Sequence, residues 1–93
     1  MSNITLLKNK IEGSIKVNKA IVVTISSPLI ECRNTIYTDN YEFDGTFLHL
    51  ECDNYELHIN ISEMEVDFDE SYDDEFILFD EERESEIKLD FLN

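Results

Sequence analysis

The chain has 93 residues, of which 42% are hydrophobic and 11% aromatic, and a formal net charge of -15 at pH 7. This length allows one domain with one modest hydrophobic core, and the apolar content excludes wholesale disorder despite the charge. The same charge argues against nucleic acid or an anionic membrane as a direct partner, because phosphate groups would be repelled.

The acids are concentrated in one portion of the chain. Residues 1–38 contain five Lys or Arg against two acids, whereas residues 39–93 contain two Lys or Arg against twenty acids. Solubility in a small domain needs a net charge of only about 2–8, and denser charge destabilises the compact state by self-repulsion. A merely soluble surface is one explanation, but this distribution favours a basic partner.

The N-terminal residues predict a short helix. Ile4, Leu7 and Ile11 recur at helical spacing, and Gly13 is a candidate stop signal. The predicted helix therefore covers residues 3–12.

The period then changes to that of strands. Ile15 and Val17 alternate with polar residues, and residues 20–25 form an apolar run typical of a buried strand. Residues 29–38 predict another strand, which ends at a turn formed by residues 38–40.

Two hairpins are predicted next. Asp44-Gly45 is a hairpin dipeptide, and Asp53-Asn54 fits a two-residue turn. That turn places these residues opposite each other: Cys52 and Tyr55, Glu51 and Glu56, Leu50 and Leu57, and His49 and His58.

After a bulge expected at Ser62, the remaining residues predict three more strands, one alternating from Met64 to Phe68, then residues 76–79 and 87–91. The chain therefore predicts a single α+β domain over residues 1–93. It has one short N-terminal helix followed by an antiparallel β-meander of about five to seven strands, as a curled sheet or a small open barrel.

Acidic side chains follow one face of the strand after Ser62. Glu63, Glu65, Asp67 and Asp69 occupy alternate positions, so their carboxylates should project from one side, about 6.6 Å apart. Duplex DNA carries one charge per roughly 1.7 Å of axis, so neighbouring strands must add more. The predicted partner-binding residues are Glu63, Glu65, Asp67, Asp69, Tyr72, Asp73, Asp74, Glu75, Asp80, Glu81, Glu82 and Glu84.

Tyr72 belongs to this set because an amphipathic ring among acids in a loop is a typical interface anchor. The other aromatic residues are expected mostly in the core on the alternation argument. They are Tyr41, Phe43, Phe47, Tyr55, Phe68, Phe76, Phe79 and Phe91.

Signals of catalysis or of a cofactor are weak. The sequence has no glycine-rich phosphate loop, nucleophile elbow or HExxH motif, so we expect neither an enzyme nor a cofactor. His49, His58, Glu51 and Glu56 share a predicted face and could hold zinc, although long acids on open sheets usually stay solvated.

Targeting signals are also weak. The opening MSNITLLKNK lacks an apolar stretch of signal-peptide length, and residues 20–25 are too short to span a bilayer. Cys32 and Cys52 lack metal or redox spacing and are expected as reduced thiols. We therefore expect a cytoplasmic protein.

In its size, its carboxylate-rich second half and its acid runs over residues 63–75 and 80–86, the chain resembles the small acidic inhibitors encoded by phages, including anti-CRISPR proteins and other DNA mimics. The resemblance implies an inhibitor that occupies the basic nucleic-acid channel of a nuclease or CRISPR effector, in the cytoplasm of the host cell if the chain is phage-encoded. We expect the chain to be a monomer or a homodimer. Two alternatives stay open: an immunity or antitoxin protein that neutralises a basic toxin, and a β-rich assembly module that oligomerises through its less acidic first half.

Overall fold

The structure is a computed structural model that describes residues 3–52, 56–69 and 74–91. Within these ranges one helix, α1 (Asn3–Val17), precedes eight antiparallel strands, so the predicted α+β class is confirmed. The strands are β1 (Ile21–Ser26), β2 (Glu31–Ile36), β3 (Thr38–Phe43), β4 (Phe47–Cys52), β5 (Glu56–Asn60), β6 (Glu65–Asp69), β7 (Asp74–Asp80) and β8 (Ser85–Phe91). None of the helical residues described forms a stretch long and apolar enough to cross a membrane.

The strands form two sheets. The larger has the order β2-β1-β8-β7-β6, and the smaller has the order β3-β4-β5. Two meanders, β3-β4-β5 and β6-β7-β8, therefore follow the chain, while the β1–β2 hairpin joins the second meander through the β1–β8 pair. Neither sheet closes on itself across the described strands, so the arrangement is open rather than a complete barrel.

One hydrophobic cluster joins the helix to both sheets. Leu7 and Ile11 face inward from α1, because residues four apart lie on the same side of a helix. The cluster is completed by Ile21, Val23, Ile36, Leu48, Leu50, Ile59, Ile61, Phe76, Leu78, Leu89 and Phe91.

The helix is longer than predicted. Gly13 lies inside α1, and Ile15 and Val17 are helical, so the predicted stop and the strand-like alternation of Ile15 and Val17 were wrong. The strand predicted over residues 20–25 is present as β1. The helix ends where Asn18 adopts a left-handed φ of 54°. The N–H of Lys19 donates to the Ser14 carbonyl at 3.0 Å, and the N–H of Asn18 donates to the Ile15 carbonyl at 3.3 Å. This pair of bonds is a Schellman motif, so Asn18 serves as the cap that Gly13 was expected to provide.

The turn predicted at residues 38–40 was also wrong. Thr38 pairs with Cys52 and Asn40 pairs with Glu51, so Asp39 is an extra residue in a bulge at the start of β3. The bulge expected at Ser62 is instead a 3₁₀ turn over Ile61–Glu63.

The predicted pairing of β4 with β5 is confirmed for the described residues. Glu51 lies opposite Glu56, and His49 lies opposite His58. The Asp44-Gly45 hairpin is also present: Asp44 Oδ1 accepts hydrogen bonds from the N–H groups of Thr46 and Phe47 at 2.9 and 2.7 Å.

Candidate functional site

The outer face of the larger sheet carries an aromatic ring between carboxylates. Phe76 and Leu78 of β7 are buried in the core, so Phe79 has the opposite orientation, because successive strand residues alternate faces. Phe79 lies directly across from Glu65 of β6 on one side and from Glu86 of β8 on the other. The expectation that Phe79 belongs to the core was therefore wrong, and the ring is half-buried on the outer face.

Two open depressions meet at this ring. One, of about 370 Å³, is lined by Ser26, Ser27, Pro28, Phe79, Glu84 and Glu86. The other, of about 250 Å³, is lined by Ser62, Glu63, Glu65, Phe79, Asp80, Glu81 and Glu82. We call these two depressions together the acid groove. Three separate parts of the chain therefore converge on Phe79: the β1–β2 hairpin, the 3₁₀ turn with β6, and the β7–β8 turn.

The β7–β8 turn is held by Asp80, which is only 7% exposed. Its Oδ1 atom accepts hydrogen bonds from the N–H groups of Glu82 and Arg83 at 3.1 and 3.3 Å. Its Oδ2 atom pairs with the Arg83 guanidinium. These contacts, above all the hydrogen bond from the Arg83 side chain, lower the pKa of Asp80 below its usual value.

Arg83 is therefore committed to the turn. Its hydrogen bond with Asp80 raises the pKa of the guanidinium, and the negative charges of Glu63 and Glu82 add to that effect. Glu81, Glu82 and Glu84 are exposed around it. The turn consequently presents several carboxylates to solvent while its one arginine is already paired.

Half of the predicted partner-binding residues converge on the acid groove. These are Glu63, Glu65, Asp80, Glu81, Glu82 and Glu84. Asp67 is exposed on β6 opposite Ile77, one step along the same face. Asp69 is the last residue of β6 and Asp74 is the first residue of β7. Asp69 pairs with Glu75 across these two strands. Tyr72 and Asp73 lie outside the described residues.

The predicted carboxylate ladder is confirmed in part. Glu65 and Asp67 are exposed, while Met64, Val66 and Phe68 pack against the core. Glu63 belongs to the 3₁₀ turn rather than to the strand, yet it reaches the same groove as Glu65.

The sequence interpretation missed Phe79 and Glu86. A signal for Phe79 was present, since a core position at Phe76 places Phe79 on the other face by parity. The convergence of Glu86 with Pro28 had no local signal, because it depends on the pairing of β8 with β1.

The second polar cluster lies on the smaller sheet. The rings of His49 and His58 meet edge-on with centroids 4.5 Å apart. His49 Nε2 lies 3.4 Å from Asp44 Oδ2, and His58 Nε2 lies 3.1 Å from Glu56 Oε2. Across the part of the chain that the structure describes, no group of three or more His, Cys, Asp or Glu side chains is arranged to hold a metal ion.

Comparisons with known proteins identified no relative of this chain. The chain matches no protein-family model and no curated protein. The chemistry of the acid groove is that of a cation receptor: grouped carboxylates attract basic side chains, and a half-buried ring can stack against a guanidinium or ammonium group.

Proposed function

We propose that this protein is a non-enzymatic inhibitor that presents the acid groove as a mimic of nucleic acid. It blocks the basic nucleic-acid channel of a nuclease, and our first choice of target is a CRISPR effector. The observation that carries the proposal is the position of Phe79, a half-buried ring directly between Glu65 and Glu86.

The arrangement supplies both parts that such an inhibitor needs. Charge complementarity speeds encounter with a basic groove and selects against other partners. Tight binding needs in addition a few well-packed anchors, which are typically aromatic residues surrounded by groups that exclude water. Phe79 provides an aromatic anchor within the carboxylates, so one surface combines both properties.

The geometry of the carboxylates also fits a polyanion. Glu65 and Asp67 are spaced along β6 by about 6.6 Å, and Glu86 lies two strands away from Glu65, about 10 Å across the sheet. Negative charge therefore extends in two directions at the end of this face next to the β7–β8 turn, as it does over the two strands of a duplex. One row further along, Lys88 of β8 lies opposite Ile77 on the same face.

The proposal is tested by cleavage of a duplex DNA target by a panel of RNA-guided nucleases with increasing amounts of this protein. The groove variant combines Glu63→Gln, Glu65→Gln and Glu82→Gln. The matched control combines Glu42→Gln, Glu51→Gln and Glu56→Gln, which are exposed acids on the smaller sheet. Both variants change the net charge equally, so they differ only in where charge is removed.

We expect the wild-type chain and the control variant to inhibit one nuclease of the panel at near-stoichiometric amounts. The groove variant should need at least about tenfold more protein, because each removed carboxylate leaves a basic group of the channel unpaired. Equal inhibition by both variants would mean that general charge, and not the groove, is responsible. Full cleavage by every nuclease at large excess of the protein would reject the proposed class of target.

A further inference from the structure

The strand β2 forms one edge of the larger sheet and differs from the opposite edge, β6. Charged side chains and bulges on an edge strand oppose pairing with another chain, and charges of one sign also repel a second copy of the same strand. β6 follows this pattern with its exposed Glu65 and Asp67. β2 carries instead one acid and one base, Glu31 and Arg33, and five of its six residues are exposed.

The β1–β2 hairpin determines which backbone groups of β2 are free for pairing. The N–H of Ser27 donates to the Ile30 carbonyl at 2.8 Å, and the pairing continues with Cys32 opposite Ile25. Because hydrogen-bonded pairs alternate in antiparallel strands, the backbone groups of Cys32 face β1. Those of Glu31 and Arg33 therefore point away from the sheet, toward the open edge.

We propose that a second copy of this chain pairs with this edge, antiparallel through β2, on a two-fold axis at Cys32. In this register Glu31 of each copy lies opposite Arg33 of the other, and each pair exchanges both of its backbone hydrogen bonds. The next registers in either direction place Glu31 opposite Glu31, or Arg33 opposite Arg33. Like charges directly opposite destabilise a sheet, so the charges of β2 select the register centred on Cys32.

The rest of the molecule accommodates this dimer. The acidic edge β6 is four strand spacings from β2, about 19 Å, whereas charges are screened over about 8 Å at physiological ionic strength. Leu29 and Ile30 form an apolar hairpin tip that is 97% and 67% exposed. In the dimer, Ile30 lies opposite Asn34 of the second copy, so the β2 strand of the second copy covers part of this tip.

The dimer is independent of the proposed inhibitor function, because the acid groove and the β2 edge use different residues. Sedimentation equilibrium at protein concentrations of about 1 µM to 1 mM tests for the dimer. An interface limited to one pair of strands is smaller than a standard protein–protein interface, so the dimer should dissociate in the micromolar range. We expect Arg33→Glu and Glu31→Arg each to weaken dimerisation at least about tenfold, and the double variant Glu31→Arg/Arg33→Glu to restore it. A wild-type chain that remains monomeric throughout, or a dimer unchanged by both single substitutions, would overturn the proposal.

Cysteine cross-linking tests the register separately. A non-hydrogen-bonded pair on the axis has its Cα atoms about 4.5 Å apart, which lies within the range for a disulfide. When diamide is added to accept the two electrons and two protons of the thiols, the wild type and Cys52→Ser should form a covalent dimer. Cys32→Ser should stay non-covalent while it still dimerises in sedimentation. Cross-linking of Cys32→Ser through Cys52, or a wild-type dimer that resists cross-linking, would show that this register is wrong.

Discussion

Glu65 of β6 lies directly opposite Phe79 of β7 on the outer face of the larger sheet. The phenyl ring is therefore a neighbour of carboxylates and contributes little to the core. We predict that Phe79→Ala weakens binding to the basic partner at least about tenfold, as truncation of an aromatic anchor typically does. Phe47→Ala is the matched control, because Phe47 is 37% exposed on the smaller sheet. Binding by titration calorimetry should be unchanged in the control, and equal losses in both variants would argue against an anchor at Phe79.

The second prediction concerns the effect of the Glu51 and Glu56 pair on stability. Two exposed carboxylates face each other across β4 and β5, which costs stability. We expect Glu51→Lys to raise the free energy of unfolding by about 0.2–1 kcal/mol, because it turns a repulsive cross-strand pair into an attractive one. Urea unfolding at low salt measures the gain, which should shrink in about 1 M NaCl. Unchanged stability would show that these side chains do not interact, and a loss would contradict a repulsive pair.

The turn anchored by Asp80 makes a third prediction, which depends on pH. Because the Arg83 side chain and neighbouring N–H groups lower the pKa of Asp80, its ionised form stabilises the folded chain. This contribution is fully present above the unfolded-state pKa near 3.9 and is lost as pH falls through the lower folded-state pKa. We expect Asp80→Asn to be less stable than the wild type at pH 7, and the difference to close in acid. A difference that stays constant from pH 7 to about pH 2 would exclude this role.

The contact of Tyr41 with Glu12 makes a fourth prediction. The Tyr41 hydroxyl donates a hydrogen bond to Glu12 and so ties β3 to α1. That bond, with smaller effects of burial and of the Glu12 charge, raises the pKa of Tyr41. We expect Tyr41→Phe to cost about 0.5–1 kcal/mol at pH 7, a small value for an exposed contact.

The sign of the pH dependence is opposite to that of Asp80. A raised pKa means that the Tyr41 bond stabilises the fold fully below about pH 10 and is lost as pH rises through the folded-state pKa. Chemical unfolding of Tyr41→Phe and of the exposed control Tyr37→Phe should therefore differ at pH 7 and converge in strong alkali. Identical stabilities at pH 7 would show that the contact contributes nothing.

Much of the fold could be predicted where local pattern and local contacts coincide. The register of His49 with His58 followed from a two-residue turn, and the exposure of Glu65 and Asp67 followed from period-two alternation. The end of α1 could not be predicted in the same way. Both Gly13 and Asn18 are acceptable caps, and the packing of Ile15 against the core, one turn after Ile11, favours a helix that continues past Gly13.

The sequence predicted which residues contribute to the site, but it did not predict how they are arranged. The sequence identified Glu63, Glu82 and Glu84 as binding candidates, and Glu63 and Glu82 share a depression because β6 pairs with β7. The convergence of Glu84 with Pro28 instead requires β8 to pair with β1 across most of the chain length. The periodicity of hydrophobic residues along the sequence carries no information on such a long-range pairing. Phe79 was missed for a different reason: both neighbours of Leu78 in β7 are apolar, so hydrophobicity alone did not separate the two faces.

The most direct test of the central claim is competition between this protein and DNA. A fluorescently labelled duplex target is first bound to the RNA-guided nuclease that this protein inhibits. The anisotropy of the duplex is then followed as this protein is added, in separate titrations at several NaCl concentrations. We predict full displacement of the duplex. In a separate titration without DNA, the Kd of the protein for the nuclease should rise at least about tenfold between 50 and 200 mM NaCl, because salt screens the attraction between carboxylates and basic groups. A duplex that stays bound while cleavage is inhibited would contradict nucleic-acid mimicry by the acid groove.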